Sequence, residues 1–348
     1  MSELNIGIVG AGNMGQRHHI PGWMRLPDVN VTAVCDVDID RARSVASEYD
    51  IPHAVDNYQE LADMDLDVVD ICTPNMLHFP AAEAALTTGK HVLCEKPLAV
   101  TADEVRKLGS LADAGGLKLM TAQMRRFSGD AMAIKKWIDN GNIGQVYYAR
   151  VRAMRRDCLP GRPGFIDSRL SGGGPGMDMG VHALDMCLWL IDFPTPVRVS
   201  GIKRTNFGKG TDIKWKSEWD RNIFDVEDFA AGFVQFDNGA AMVIEASWLG
   251  HQTQRIDVSN RIFGVRGGVS YPSGEYTAVV NGKQQDGIID PLPLDEVITS
   301  YDREIEALHN AIVNDKPSPV PWHQTLKVIQ ILEGIYISDE QGCEIGFE

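Results

Sequence analysis

The stretch Gly172-Gly173-Gly174-Pro175-Gly176-Met177-Asp178-Met179-Gly180-Val181-His182-Ala183-Leu184-Asp185 joins a glycine-rich turn to a helical pattern that runs through Leu190. In a helix, Asp178, His182 and Asp185 fall at i, i+4 and i+7 and share one face, while Val181, Leu184, Leu188 and Ile191 make an apolar stripe on another. Imidazole, with an unperturbed pKa of about 6.5, exchanges protons near neutrality, so His182 could act as base towards a hydroxyl. Asp178 could orient His182 or hold a neighbouring hydroxyl. A second signal is Cys94-Glu95-Lys96-Pro97, which closes an apolar run. Proline restricts the backbone of Lys96 and can make their peptide cis, which fixes the direction of the side chain. Its ammonium would stabilise negative charge developing on an oxygen. A base, a charge stabiliser and a hydroxyl anchor suit the oxidation of a secondary alcohol. The same residues also read as an interface histidine, capping acids and a solvated lysine.

Such an oxidation needs a hydride acceptor, and the N-terminus offers a seat for one. Gly10-Ala11-Gly12-Asn13-Met14-Gly15 follows the apolar run Ile6-Gly7-Ile8-Val9 and precedes a helical stretch. Gly10 can make the tight turn, Gly12 can let the backbone approach a pyrophosphate, and Gly15 can let helix and strand pack closely. Phosphates would take the free N–H groups at the helix start, beside Asn13 and Met14. Asp36 ends the next strand about 20 positions on, where a carboxylate accepts from ribose hydroxyls and repels a 2′-phosphate. NAD is therefore expected rather than NADP. Arg41 and Arg43 fall in the following helix and read as a solvated face or a phosphate clamp. Cys72-Thr73-Pro74-Asn75, followed by His78, lies at the carboxyl edge of the sheet, where ligands bind in open α/β folds. Thr73, Pro74 and Asn75 could line the nicotinamide half; Asn75 could equally cap the next helix, and His78 could lie on its surface. Glu95 and Lys96 reach the same crevice from the next strand.

These residues need a frame that brings strand ends together. Strand patterns at 5–9, 30–35, 68–72, 91–94 and 118–121 alternate with helical patterns at 13–25, 40–49, 78–88 and 102–114, the last opened by Thr101 and closed by Gly115-Gly116. That alternation predicts a doubly wound parallel sheet of Rossmann type over residues 1–122. Beyond it the pattern changes: a helix at 130–139, a long strand at 145–155, and strands at 229–236 and 240–248 around Asp237-Asn238-Gly239. A strand at 276–280 precedes Asn281-Gly282, and helices at 299–313 and 323–336 and a strand at 344–347 close the chain. Residues 123–348 should form an α/β domain with an open, mostly antiparallel sheet.

Of the 348 residues, 33 are Lys or Arg and 48 are Asp or Glu, a net charge of −15 that disfavours nucleic acid and anionic membranes and points to a small-molecule partner. The six cysteines are scattered without a C-x-x-C pair and read as reduced core thiols in a cytoplasmic protein; their spacing suggests no metal site. No apolar run is long enough to span a bilayer, and the Met1-Ser2-Glu3-Leu4-Asn5 start carries an acid where a signal peptide needs positive charge.

The ordered set G-x-G-x-x-G, a strand-end acid, T-P-N, E-K-P and G-G-G-x-x-x-D-x-G-x-H-x-x-D resembles the Gfo/Idh/MocA oxidoreductases, which include inositol and sugar dehydrogenases. The resemblance runs almost end to end. It implies NAD, a polyol, sugar or cyclitol substrate, and homodimers or homotetramers formed through the C-terminal sheet. It also implies that Lys96, Asp178 and His182 are the catalytic trio. Arg126-Phe127 looks like the family's R-F element, but Gly129 replaces the proline often found two places later. Arg126 is thus a substrate-binding candidate. Arg155, with Arg152 and Arg156, could bind an acidic or phosphorylated substrate, or the three could form a salt-bridged sheet face. Trp215 and Trp219, in the insert-like 207–221, could stack on sugars or make a subunit contact. Two other activities use the same parts: NAD-dependent glycoside cleavage by oxidation and elimination, and cofactor-dependent regulation without catalysis.

Overall fold

The computed structural model describes residues 3–210 and 212–347; Met1 and Ser2 of the predicted leader-free start, Thr211 of the 207–221 stretch, and Glu348 lie outside them. The chain divides into two compact units, Met1–Met124 with Glu296–Leu326, and Arg125–Asp295 with Lys327–Glu348. The expected division at residue 122 ran on to the C-terminus, whereas the structure returns Glu296–Leu326 to the first unit. Packing explains the return. Gly22 leaves a space in which a Cβ would come within 2.5 Å of Ile305. Thr121 and Thr325 share a hydroxyl hydrogen bond of 2.8 Å, and Lys118 pairs with Asp315 at 2.7 Å.

The first unit is built on β1 (Leu4–Val9), β2 (Val29–Cys35), β3 (His53–Val55), β4 (Val68–Ile71), β5 (His91–Glu95) and β6 (Leu119–Ala122). Among the described residues their order is β3-β2-β1-β4-β5-β6, parallel throughout. The order reverses direction between β1 and β4, so the crevice at their carboxyl ends is the switch point at which such sheets bind ligands. Ile6, Ile8, Val34, Val68, Ile71 and Leu93 are fully buried, as strands covered on both faces require. The helix Ala102–Gly115 opens with a capping box between Thr101 and Glu104 and ends at left-handed Gly116. The stretch expected as one helix over 13–25 is a π-helical turn, Gly15–His19, followed by a short α-helix, Ile20–Met24. Pro21 has no N–H to continue the ordinary ladder, and the wider turn carries His19 into the interior.

The second unit contains β7 (Val146–Arg155), β8 (Pro196–Arg204), β9 (Phe229–Phe236), β10 (Ala241–Ser247), β11 (Ile256–Gly264), β12 (Gly267–Tyr271), β13 (Glu275–Val280), β14 (Lys283–Ile288) and β15 (Ile345–Gly346). Their order is β14-β13-β12-β11-β7-β10-β9-β8-β15. The β7–β10 pair is parallel, with Tyr148 opposite Ala241 and Met154 opposite Ser247, and the other pairings are antiparallel. The helix Val181–Leu190 packs on β7 and β11 and carries His182 at its start. No helix among the described residues is long and apolar enough to cross a membrane.

Candidate active site

In the first unit the glycine turn is shaped by β4. Gly10 has φ +105°, and a Cβ there would come within 2.7 Å of the Cys72 backbone. A Cβ on Gly15 would run into the Gly10 carbonyl, whereas nothing lies within 4 Å of one on Gly12. Gly12 therefore faces open space, with exposed Asn13 and half-buried Met14 beside it. Asp36 is nearly buried and bridges two backbone segments: Oδ2 accepts from Ala11 N at 3.0 Å and Oδ1 from Asp38 N at 3.0 Å. Arg41 lies 3.3 Å from both oxygens. These contacts occupy the roughly four lone-pair sites of the carboxylate, so ribose hydroxyls would be received in place of the half-exposed Arg41. Thr73, in the turn after β4, has a buried Oγ1 without a hydrogen-bond partner among the described residues. An open glycine, a ribose-ready acid and an unpartnered hydroxyl on one sheet edge fit a dinucleotide.

Behind this edge lies a buried charge cluster. His19, fully buried, places Nδ1 at 2.8 and 3.0 Å from the Asp70 oxygens and Nε2 at 3.2 Å from Glu95 Oε1. Trp23 Nε1 donates to Asp70 Oδ2 at 2.7 Å. Burial opposes charge on His19, but the adjoining Asp70 carboxylate outweighs it and holds the imidazole pKa well above the usual range. The other Glu95 oxygen accepts from Lys96 N at 3.1 Å, and the Lys96–Pro97 peptide is cis. Donor atoms of His19, Asp70 and Cys72 lie within 4.8 Å of one another.

In the second unit, a π-helical turn, Gly176–Gly180, leads into Val181–Leu190. Asp178 Oδ2 accepts from Nε1 of Trp248, an indole with no solvent exposure, at 2.9 Å, and His182 is half-buried one turn on. The predicted polar face divides at Asp185. That residue is buried and pairs with Arg126, whose Nε and Nη2 donate at 2.8 and 2.6 Å, and the guanidinium lies 4.9 Å from the Phe193 ring centre.

Residues 4–123 match the model of the Gfo/Idh/MocA oxidoreductase family with its NAD-binding Rossmann fold, and residues 131–270 match that family's C-terminal domain. The chain belongs to the Gfo/Idh/MocA oxidoreductases. It is 28% identical over 348 residues to D-glucoside 3-dehydrogenase of Escherichia coli K12, covering 99% of this chain and 97% of that one. The fold matches an oxidoreductase domain protein from Kribbella flavida with a TM-score of 0.85 at 22% identity, covering all of both chains. A levoglucosan dehydrogenase in complex with NADH and levoglucosan matches with a TM-score of 0.83 at 22% identity, covering 99% of each chain.

Within this Gfo/Idh/MocA chain several predicted site residues have other occupations. Arg126, expected to touch substrate, is enclosed and committed to Asp185. His78, expected at the cofactor or on a helix surface, is buried, with its ring nitrogens 2.6 Å from the Pro97 carbonyl and 2.8 Å from that of Thr73. It ties the turn after β4 to the loop that carries Lys96, and burial lowers its pKa. Glu95 turns its carboxylate to His19 and the Lys96 amide. Arg152 takes the salt-bridged reading, with Glu245 at 3.0 Å and Asp257 at 2.9 Å. Arg155 is half-buried and has no ion-pair partner among the described residues. Trp215 and Trp219 are half-buried in their own loop: Trp215 packs on Phe207 and His251, and Trp219 Nε1 donates to Gly208 O at 2.7 Å. Pro74 and Asn75 lie in and just after the Thr73 turn, Asn75 opening a short 3₁₀ turn. The sequence reading missed His19, Trp23 and Asp70. The available signal was Asp70 within Val68-Val69-Asp70-Ile71, because a charge in a doubly covered strand requires a partner.

Proposed function

We propose that this oxidoreductase oxidises a secondary hydroxyl of a sugar, sugar derivative or cyclitol, with Lys96, Asp178 and His182 as its catalytic residues. NAD, when bound, supplies the hydride acceptor. Gly10, Gly12, Asn13, Met14 and Gly15 would receive its phosphates, Asp36 its ribose, and Thr73, Pro74 and Asn75 its nicotinamide half. His182 takes the hydroxyl proton, Lys96 stabilises negative charge on that oxygen, and Asp178 holds a neighbouring hydroxyl. The observation that carries this reading is the Asp178 carboxylate, fixed by the buried Trp248 indole one turn before His182. Fixed geometry is what general-base catalysis needs from such a pair. The full-length likeness to a glucoside dehydrogenase supports a glycoside or free sugar as the first choice of substrate, and Arg155 could add an acidic-group contact.

The test is NADH formation across alkyl glucosides, aldoses and inositols. Turnover is expected with a member of this panel, and His182→Ala and Lys96→Ala should each lower kcat by about 10²- to 10⁴-fold. Full turnover in both variants would refute the assignment. Glycoside cleavage without NADH accumulation would favour the oxidation–elimination reaction instead.

We also propose a cytoplasmic homodimer or homotetramer. The six cysteines are all unpaired, which supports a reducing compartment. On the second sheet Tyr147, Val265, Val279 and Ile288 leave an exposed apolar face, which supports self-association there. Light scattering that gives a monomer at working concentration would refute the assembly.

A further inference from the structure

The glycine run before Asp178 has a physical cause that the proposed chemistry does not use. Glu227, nearly buried just before β9, accepts from Gly174 N at 2.8 Å through Oε2 and from Gly176 N at 3.2 Å through Oε1. Tyr336, on the helix Trp322–Gln341, donates its hydroxyl to Oε1 at 2.7 Å. The loop must lie close to make these bonds. A Cβ on Gly174 would collide with the Glu227 carbonyl, and one on Gly176 would come within 2.6 Å of the Tyr336 hydroxyl. One on Gly173 would come within 2.9 Å of that hydroxyl.

The same segment reaches Asp178 by a second route. Asp178 N donates to Gly174 O at 3.0 Å. Trp248 N donates to the carbonyl of Asp228, next to Glu227, at 3.3 Å, and the Trp248 indole holds the Asp178 carboxylate. Asp228 itself accepts from the amides of Asn206, Phe207 and Gly208. One dipeptide thus anchors the start of the helix and the indole that orients its acid.

We infer that Glu227, latched by Tyr336, is a positioning residue for Asp178 and His182: it fixes the glycine loop from which their helix starts. The inference rests on the catalytic reading above but is measurable without it. Burial pushes the Glu227 carboxyl up, against the pull of the donated hydrogen bonds. In Glu227→Gln one oxygen can still take the Gly174 amide and the tyrosine hydroxyl can turn to accept from the new NH₂, but the Gly176 amide is left facing that NH₂ without an acceptor.

The experiment is hydrogen exchange of the amides of residues 173–179 in the full chain, together with kcat and NAD affinity. Glu227→Ala should speed exchange there by about 10- to 100-fold and lower kcat by a similar factor, with NAD affinity unchanged. Tyr336→Phe should speed exchange by about 10-fold, and Glu227→Gln, which keeps one of the two glycine bonds, should bring both readouts to between the Glu227→Ala and parent values. Unchanged exchange over 173–179 in Glu227→Ala, or a rise spread evenly over the second unit, would overturn the latch. Absence of turnover in the parent protein would count against the proposed substrate class and leave the exchange result to decide the latch.

Discussion

Replacing Asp70 by Asn tests whether Asp70 holds His19 as a buried imidazolium. Both ring nitrogens of His19 face carboxylates, Nδ1 at 2.8 Å from Asp70 and Nε2 at 3.2 Å from Glu95, and the ring has no solvent exposure. A neutral imidazole has one N–H and would satisfy one of the two. A raised folded pKa means that the folded state holds this proton after the unfolded state has released it. The resulting stability is complete below the unfolded value and is lost as pH rises towards the folded one. One extra bound proton held throughout gives a limiting slope of about −1.4 kcal/mol per pH unit, which sets the largest loss expected between about pH 7 and about pH 8. Asp70→Asn removes the charge that holds the proton. It should cost about 3–5 kcal/mol at neutrality, the usual effect of breaking a buried pair, and should weaken this part of the slope, with Glu95 still facing Nε2. Urea unfolding of both proteins at the two pH values is the assay. Buried thiols such as Cys35, pushed up to about 12 by burial, contribute to both proteins and cancel in the difference. Parallel pH dependences in parent and variant would refute Asp70 as the group that holds the proton, whatever the size of the offset.

Glu304 is fully buried, and neither of its carboxylate oxygens has a hydrogen-bond partner among the described residues. Burial, reinforced by Glu95, holds its pKa well above the usual carboxylate range, so its ionisation costs stability as pH rises above about 4.5. Glu304→Met should stabilise the protein by about 1–3 kcal/mol at neutrality, and thermal unfolding that shows no gain would contradict this. Asp36→Ser should lower kcat/KM for NAD by about 10- to 100-fold, remove the charge that repels a 2′-phosphate, and release Arg41 to meet NADP. An unchanged ratio of NAD to NADP use would mean that Asp36 serves only the turn, through Ala11.

Features built from neighbouring residues were legible in the sequence. The strand–glycine turn–helix at Gly10–Gly15, the acid at Asp36, the Thr101 cap and the alternation along β7 depend on backbone geometry over a few residues, and residue type reports that geometry directly. Short or irregular elements were not: β3 has three residues, too few to display a period, and Pro21 split a helix into a turn that the apolar pattern still read as continuous. The long-range pairings lay further from view. His19 meets Asp70 and Glu95 across 51 and 76 residues, Arg126 meets Asp185 across 59, and Tyr336 meets Glu227 across 109. In each case the residue type says that a buried charge or hydroxyl must find a partner, and only the folded arrangement of strands and helices says which one. Residue types and their spacing were enough for the family and for the parallel strands of the first sheet, because both rest on local backbone geometry. Only the folded chain shows Arg126 bonded to Asp185, His78 against the Pro97 and Thr73 carbonyls, and Glu296–Leu326 grouped with the first unit. It also decided that the glycines before Asp178 are small because Glu227 and Tyr336 lie against them.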